Sequence, residues 1–126
     1  MRTTALALAL VAAVATAAAE DSNPYDAKLS ELRAIPSAQI SISEGWTIVV
    51  IDHGMSIWSF TPETHPAHPA FAERKLIQDP QGAWATNTEL HCGGPEKACD
   101  KLFEEYQALD SQMKESLNSN GKKNGT

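Results

Sequence analysis

A stripe of apolar side chains in the last third of the chain constrains the fold more than any other feature of the sequence. Its members recur at steps of three or four residues, as one helix face does: Ala98, Leu102, Tyr106, Leu109, Met113 and Leu117. Phe103 widens this face, and Gly93-Gly94-Pro95 precedes it, with proline suited to a first helical turn. The pattern predicts a long C-terminal helix ending at residue 117, followed by a disordered polar tail over residues 118–126.

Five segments in the middle of the chain have the composition and alternation of strands: residues 38–44, 46–51, 56–61, 73–79 and 83–91. Turn signals such as Asp52-His53-Gly54 and Pro80-Gln81-Gly82 separate them, and Gly45 marks a bend or a bulge. An amphipathic helix buries its apolar face on another layer. We therefore expect an antiparallel sheet of about four strands, with the long helix packed on one face.

A short amphipathic helix is predicted ahead of the strands, over residues 24–34. Asn23 is a suitable cap, Pro24 suits the first helical position, and Pro36 ends the segment. Helix, strands and helix in this order place the chain in the α+β class.

Residues 1–19 have the layout of a secretory signal peptide. Arg2 gives a basic start, residues 5–15 form an apolar run, and small residues lead to Ala19. The run is shorter and less apolar than the roughly 20 residues that span a membrane. We expect cleavage near Ala19 and a periplasmic or secreted protein without a membrane anchor, with one domain over residues 20–117.

The composition is acidic, and this limits the kinds of partner. The chain has sixteen Asp and Glu residues against ten Lys and Arg, and loss of Arg2 with the leader increases the imbalance. Negative charge disfavours nucleic acids and anionic membrane surfaces. We expect another protein as the partner, for the reasons given below, and the oligomeric state is left open. The alternative reading of the charge is that it keeps an exported domain soluble.

Cys92 and Cys99 are the two cysteines of the chain. In an oxidising compartment, a single pair is most simply a structural disulfide. The spacing is too long for a thioredoxin-type pair, and a zinc site would need further ligands. We predict a bond that clamps the corner between the last strand and the long helix.

Residues 62–70 (PETHPAHPA) carry three prolines and predict an exposed, extended loop of partly polyproline character. His65 and His68 on this loop are candidate ligands for copper or zinc, with His53 as a third. No other cofactor is expected. The alternative is that the prolines shape the loop and that the histidines pack or cap locally.

The same loop and the strand before it form a candidate partner-binding surface. Its members are Trp58, Phe60, Pro62, His65, Pro66, His68 and Pro69. Exposed strand aromatics beside a stiff loop would make an apolar patch of the kind used for partner binding. The alternative is that Trp58 and Phe60 belong to the core.

No catalytic set is assembled in the sequence. Asp52 and His53 lie near Ser56 and Ser59, but turn propensity explains the first two, and no nucleophile elbow is present. The paired carboxylates Glu104-Glu105 fall on a solvated helix face. We therefore expect a protein that is not an enzyme.

The string from Trp58 to Ala70 (WSFTPETHPAHPA) is the most distinctive in the chain. With Arg74-Lys75, and with Cys92 and Cys99 ahead of a terminal helix, it resembles a group of small exported bacterial proteins of uncharacterised function. The resemblance extends over residues 45–117. It implies an exported compartment and this overall plan, and it implies no activity.

These observations favour a small exported binding or accessory module that recognises a protein partner through the sheet edge or the proline-rich loop. One alternative is a periplasmic copper- or zinc-binding protein that uses His65 and His68. Another is an inhibitor or immunity-type protein that blocks an enzyme cleft with the loop.

Overall fold

A five-stranded antiparallel sheet lies at the centre of the fold, in a computed structural model that describes residues 23–123. The strands are adjacent in chain order: β1 (Gln39–Ser43), β2 (Trp46–Ile51), β3 (Ser56–Phe60), β4 (Ala70–Gln78) and β5 (Trp84–Cys92). Helix α1 (Pro24–Arg33) precedes the sheet, and helix α2 (Glu96–Lys123) follows it. The predicted α+β class is confirmed. The predicted leader and residues 124–126 lie outside the described residues.

Glu44 and Gly45 form a tight turn that separates β1 from β2. Both residues have positive φ angles, 51° and 84°, and Ser43 pairs with Trp46 across the turn. This is the geometry of a two-residue hairpin, whose backbone favours glycine. The bend predicted at Gly45 is therefore a full chain reversal, which gives the sheet five strands where about four were expected.

One face of the sheet is partly covered by α1, and we call it the α1 face. The helix begins after Asn23, whose side chain accepts a hydrogen bond from the Asp26 N–H at 2.8 Å. The core on this face consists of five buried residues with large side chains: Leu32, Val49, Trp58, Phe60 and Phe71. Because side chains alternate along a strand, these residues show which side chains of β2, β3 and β4 point to the α1 face.

The opposite face is covered by α2, and we call it the α2 face. Its core combines two alanines of β4 and one of the segment before β4 with two large residues of the helix: Ala70, Ala72, Ala67, Leu102 and Tyr106. The alanines leave room for the helix to approach the sheet closely. The prediction that α2 packs on one face is confirmed, and α1 covers part of the other.

The carboxylate of Asp110 attaches α2 to the last two strands, and we call this arrangement the Asp110 clamp. Its Oδ1 atom accepts hydrogen bonds from Thr86 Oγ1 at 2.7 Å, Thr88 Oγ1 at 2.8 Å and Arg74 Nη2 at 3.3 Å. The Arg74 side chain lies on β4, and both threonines lie on β5. The clamp therefore fixes the helix over β4 and β5.

Helix α2 continues to Lys123, so the predicted tail beginning at residue 118 is wrong for residues 118–123. The reason lies in Asn118, whose side-chain amide donates to the Trp84 C=O and accepts from the Trp84 N–H, each at 3.2 Å. This pair of bonds ties the last turns of the helix to β5. Within residues 23–123, no helix has both the length and the apolar character needed to cross a membrane.

Cys92 and Cys99 form the predicted disulfide, with their Cα atoms 5.8 Å apart. Cys92 is the last residue of β5, and Cys99 lies in the first turn of α2. The bond therefore clamps the strand-to-helix corner, as expected from the sequence.

We predict that Asp110→Ala lowers the free energy of unfolding by about 2–3 kcal/mol, because two hydroxyl groups and a guanidinium group lose their acceptor. Urea denaturation followed by circular dichroism measures this change. The matched control is Asp100→Ala on an exposed position of the same helix, for which we expect a change within about 0.5 kcal/mol. Equal effects of the two substitutions would contradict a clamping role.

Candidate functional site

The proline-rich segment is folded onto the start of α2, which corrects the prediction of an exposed, extended loop. Two successive turns compact it: the His65 N–H donates to the Pro62 C=O and the His68 N–H donates to the His65 C=O, each at 3.0 Å. Ala67 is completely buried. A side chain at Gly94 would place its Cβ only 2.5 Å from the Ala67 carbonyl oxygen. The close approach of two backbones therefore holds the loop down.

The two loop histidines make local contacts in different directions. His65 accepts a hydrogen bond from the Ala67 N–H at 3.0 Å, and its ring meets the Trp46 ring edge-on at 5.2 Å. His68 Nδ1 lies 3.0 Å from Thr61 Oγ1, and its ring contacts Tyr25 at 5.0 Å. These contacts agree with the reading in which the histidines pack and cap locally.

His53 lies far from the other two candidate ligands. It belongs to a short 3-10 segment, Asp52–Gly54, that precedes β3, whereas His65 and His68 follow β3. A five-residue strand separates the two ends by about 16 Å. Within residues 23–123, no group of three His, Cys, Asp or Glu side chains is placed to hold a metal ion.

Trp58 and Phe60 belong to the core, so the partner-binding surface predicted from them is wrong. Their exposed fractions are 8% and 0%, because both side chains point to the α1 face and lie beneath α1. Of the loop prolines, Pro66 is exposed, while Pro62 and Pro69 are half-buried. The seven residues of the predicted set therefore do not form one surface.

Ser56 and Ser59, which lie near Asp52 and His53 in the sequence, are engaged elsewhere. Ser56 Oγ donates to Glu73 Oε2 at 2.9 Å, and Ser59 Oγ lies 2.5 Å from the Tyr106 hydroxyl oxygen. Because residues 56 and 59 differ in strand parity, the two hydroxyl groups are on opposite faces of the sheet. Neither of these hydroxyl groups is hydrogen-bonded to Asp52 or His53.

An open groove of about 280 Å³ lies on the α2 face, between α2 and strands β2 and β3, and we call it the α2 groove. Its apolar lining comes from β2, β3 and α2: Trp46, Ile48, Ile57, Leu102, Tyr106 and Leu109. A helix is about 10 Å wide and covers roughly two strands spaced about 4.8 Å apart. With α2 held over β4 and β5, part of β2 and β3 is left uncovered.

The apolar stripe of α2 is only a partial sequence signal for this groove. Leu109 belongs to the stripe that predicts a buried helix face, yet its exposed fraction is 43%. Phe103 was expected to widen the buried face, and it is 47% exposed. The stripe is therefore wider than the contact with the sheet. The width of the stripe indicates apolar surface that the sheet does not cover. The position of that surface depends on where α2 crosses the sheet.

Polar groups at the groove are few and are mostly paired with each other. The Tyr106 hydroxyl and Ser59 Oγ form one buried pair, and Arg74 is held by the Asp110 clamp. Burial raises the pKa of the Tyr106 phenol and outweighs the lowering effect of its hydrogen bond to Ser59. Glu105 lies at the exposed rim. The arrangement suits the binding of apolar side chains, which bury surface without breaking these bonds.

A larger depression of about 520 Å³ lies beside His53, but its lining is mostly polar: Ser37, Gln39, Val50, Ile51, Asp52, His53 and Gly54. It contains no side chain from either helix. The α2 groove is therefore the better candidate for a binding site.

We predict that the wild-type protein loses stability more steeply than Tyr106→Phe as the pH rises above about 10. The phenol has a raised pKa in the folded state, so its stabilising contribution is complete below the unfolded pKa and disappears as the pH passes through the folded pKa. Urea denaturation between about pH 8 and pH 11 measures the two curves. Burial also raises the pKa of Tyr25, but this residue is present in both proteins and contributes equally to the two curves. Parallel curves would contradict the assignment.

Comparison of the chain with protein-family models, with curated proteins and with solved structures gave no match.

Proposed function

We propose that the protein is an exported, non-catalytic binding module that acts in the periplasm and holds an apolar segment of a partner protein in the α2 groove. The observation that carries this proposal is the apolar lining of that groove, which α2 leaves open beside β2 and β3. The Cys92–Cys99 disulfide is compatible with an oxidising compartment.

The partially exposed side chains of the groove favour a protein segment as the ligand. Ile48, Ile57 and Leu109 each retain exposed surface, and burial of apolar surface contributes about 25 cal/mol per Å². The groove is open to solvent, so the apolar residues of a chain segment can reach its lining. The acidic composition disfavours nucleic acid as the alternative ligand.

The two other hypotheses have less support from the geometry. A copper or zinc ion on His65 would remove the acceptor of the Ala67 N–H, because coordination through either ring nitrogen leaves Nδ1 without a free lone pair. The rings of His65 and His68 also pack against different residues, Trp46 and Tyr25. An inhibitor that inserts the proline-rich loop into an enzyme cleft would have to extract Ala67 from its buried position.

We predict that a displayed peptide library selected on the domain enriches segments with bulky apolar residues. Leu109→Glu should weaken the binding of these peptides at least tenfold, because it places a charge in the groove lining. Fluorescence anisotropy with a labelled selected peptide measures the affinity.

The matched control is Gln107→Glu, which adds the same charge at an exposed position of α2 outside the groove. We expect its affinity to stay within twofold of wild type. The proposal is overturned if selection enriches no apolar segment, or if both substitutions weaken binding equally.

A further inference from the structure

Within residues 23–123, the outer edge of β1 has no strand beside it. β1 pairs with β2 on one side only, and all five of its residues are exposed. Its sequence, Gln-Ile-Ser-Ile-Ser, has no charge and no proline, the usual devices that keep an edge strand from pairing. Ile42 is 76% exposed, and Ile40 is 44% exposed.

The opposite edge of the sheet, formed by β5, is protected. The Asp79 N–H donates to the Ala83 C=O at 2.9 Å, so the backbone groups of the next residue on β5, Trp84, point away from β4. The amide of Asn118 occupies both of them. β5 also carries Glu89 and His91. The free edge of β1 has no comparable cover within residues 23–123.

The hairpin geometry determines which backbone groups of β1 face outward. Ser43 and Trp46 close a two-residue turn, so they form a hydrogen-bonded pair, and such pairs alternate along the ladder. The N–H and C=O groups of Ser41 and Gln39 therefore face β2, like those of Ser43. Those of Ile40 and Ile42 face outward and are available to another strand.

We propose that this edge binds a second copy of the chain, with the two β1 strands antiparallel about a two-fold axis at Ser41. In this register, Ile40 of each copy lies opposite Ile42 of the other, and each such pair exchanges two backbone hydrogen bonds, four in all. The outward-facing groups of both isoleucines are all used. The proposal is independent of peptide binding in the α2 groove, because no β1 residue lines that groove.

The sequence of β1 is self-complementary in this register. Reading Gln-Ile-Ser-Ile-Ser outward from Ser41 gives isoleucine and then a polar residue in both directions. The four isoleucine side chains of the two copies therefore share one face and cover one another, as a symmetric interface requires. A strand from an unrelated protein would not need this symmetry.

Charge does not oppose the pairing. Glu44, the nearest charged residue after β1, falls opposite Ala38 of the second copy. The two Glu44 residues of the pair lie six residues apart along the strands, about 20 Å. This exceeds the Debye length of about 8 Å at physiological ionic strength. A five-residue edge is small compared with standard interfaces, so we expect a weak dimer that depends on concentration.

Two measurements test the proposal. In sedimentation velocity, the wild-type mass should approach twice that of the monomer at the highest concentrations. Ile42→Lys should remain monomeric, because it places a charge on the pairing edge. The control Ile77→Lys, at a position of β4 that is 47% exposed, should behave like wild type.

In the second measurement, Ser41→Cys should form an intermolecular disulfide, because Cα atoms of a non-hydrogen-bonded antiparallel pair are about 4.5 Å apart and lie within disulfide range. Ser111→Cys, exposed on α2, is the control and should cross-link at least tenfold more slowly. Peptide mapping under non-reducing conditions verifies that Cys92 and Cys99 stay bonded to each other.

The proposal is overturned if the wild type is monomeric at every concentration, if Ile42→Lys still dimerises, or if the two cysteine variants cross-link equally fast. The chain could instead be monomeric and bind an unrelated strand peptide, with this binding lost in Ile42→Lys. That result would show that the edge binds another protein, and it would also overturn the proposed dimer.

Discussion

The attachment of α2 to β4 and β5 determines which parts of the sheet are covered and which are free. Three hydrogen bonds converge on one carboxylate oxygen of Asp110, and the disulfide at the beginning of the helix sets its starting point. Asn118 ties the other end of the helix to Trp84. A single helix that is held at three points over the last strands of a five-stranded sheet cannot also cover the first strands on the same face. The apolar groove beside β2 and β3 is a direct consequence.

Much of the fold was predictable because it depends on local patterns. The spacing from Ala98 to Leu117 predicts α2, and the segments around Asn23 and Pro24 predict α1. The disulfide was expected from the single pair of cysteines and from the compartment that the leader predicts. These features need only the chemistry of neighbouring residues, which sequence reasoning can evaluate.

The predictions that were wrong concern parts of the fold that depend on contacts between residues distant in the sequence. The proline-rich segment was expected to extend into solvent, but the contact between Ala67 and Gly94 folds it down. Asn118 looks like a tail residue until its amide pairs with Trp84, 34 residues away. The position of the groove depends on where α2 crosses the sheet, which no local pattern encodes. Exposure of Leu109 is therefore visible only in the folded chain.

The simple order of the strands places the apolar groove and the free edge next to each other, separated only by β1 and part of β2. Antiparallel pairing of two edges about a two-fold axis perpendicular to the sheet keeps equivalent faces on the same side. A joined pair would then present two grooves side by side, with one α2 helix flanking each. A target carrying two apolar segments would be held bivalently, so that modest affinity at each groove would be converted into strong avidity.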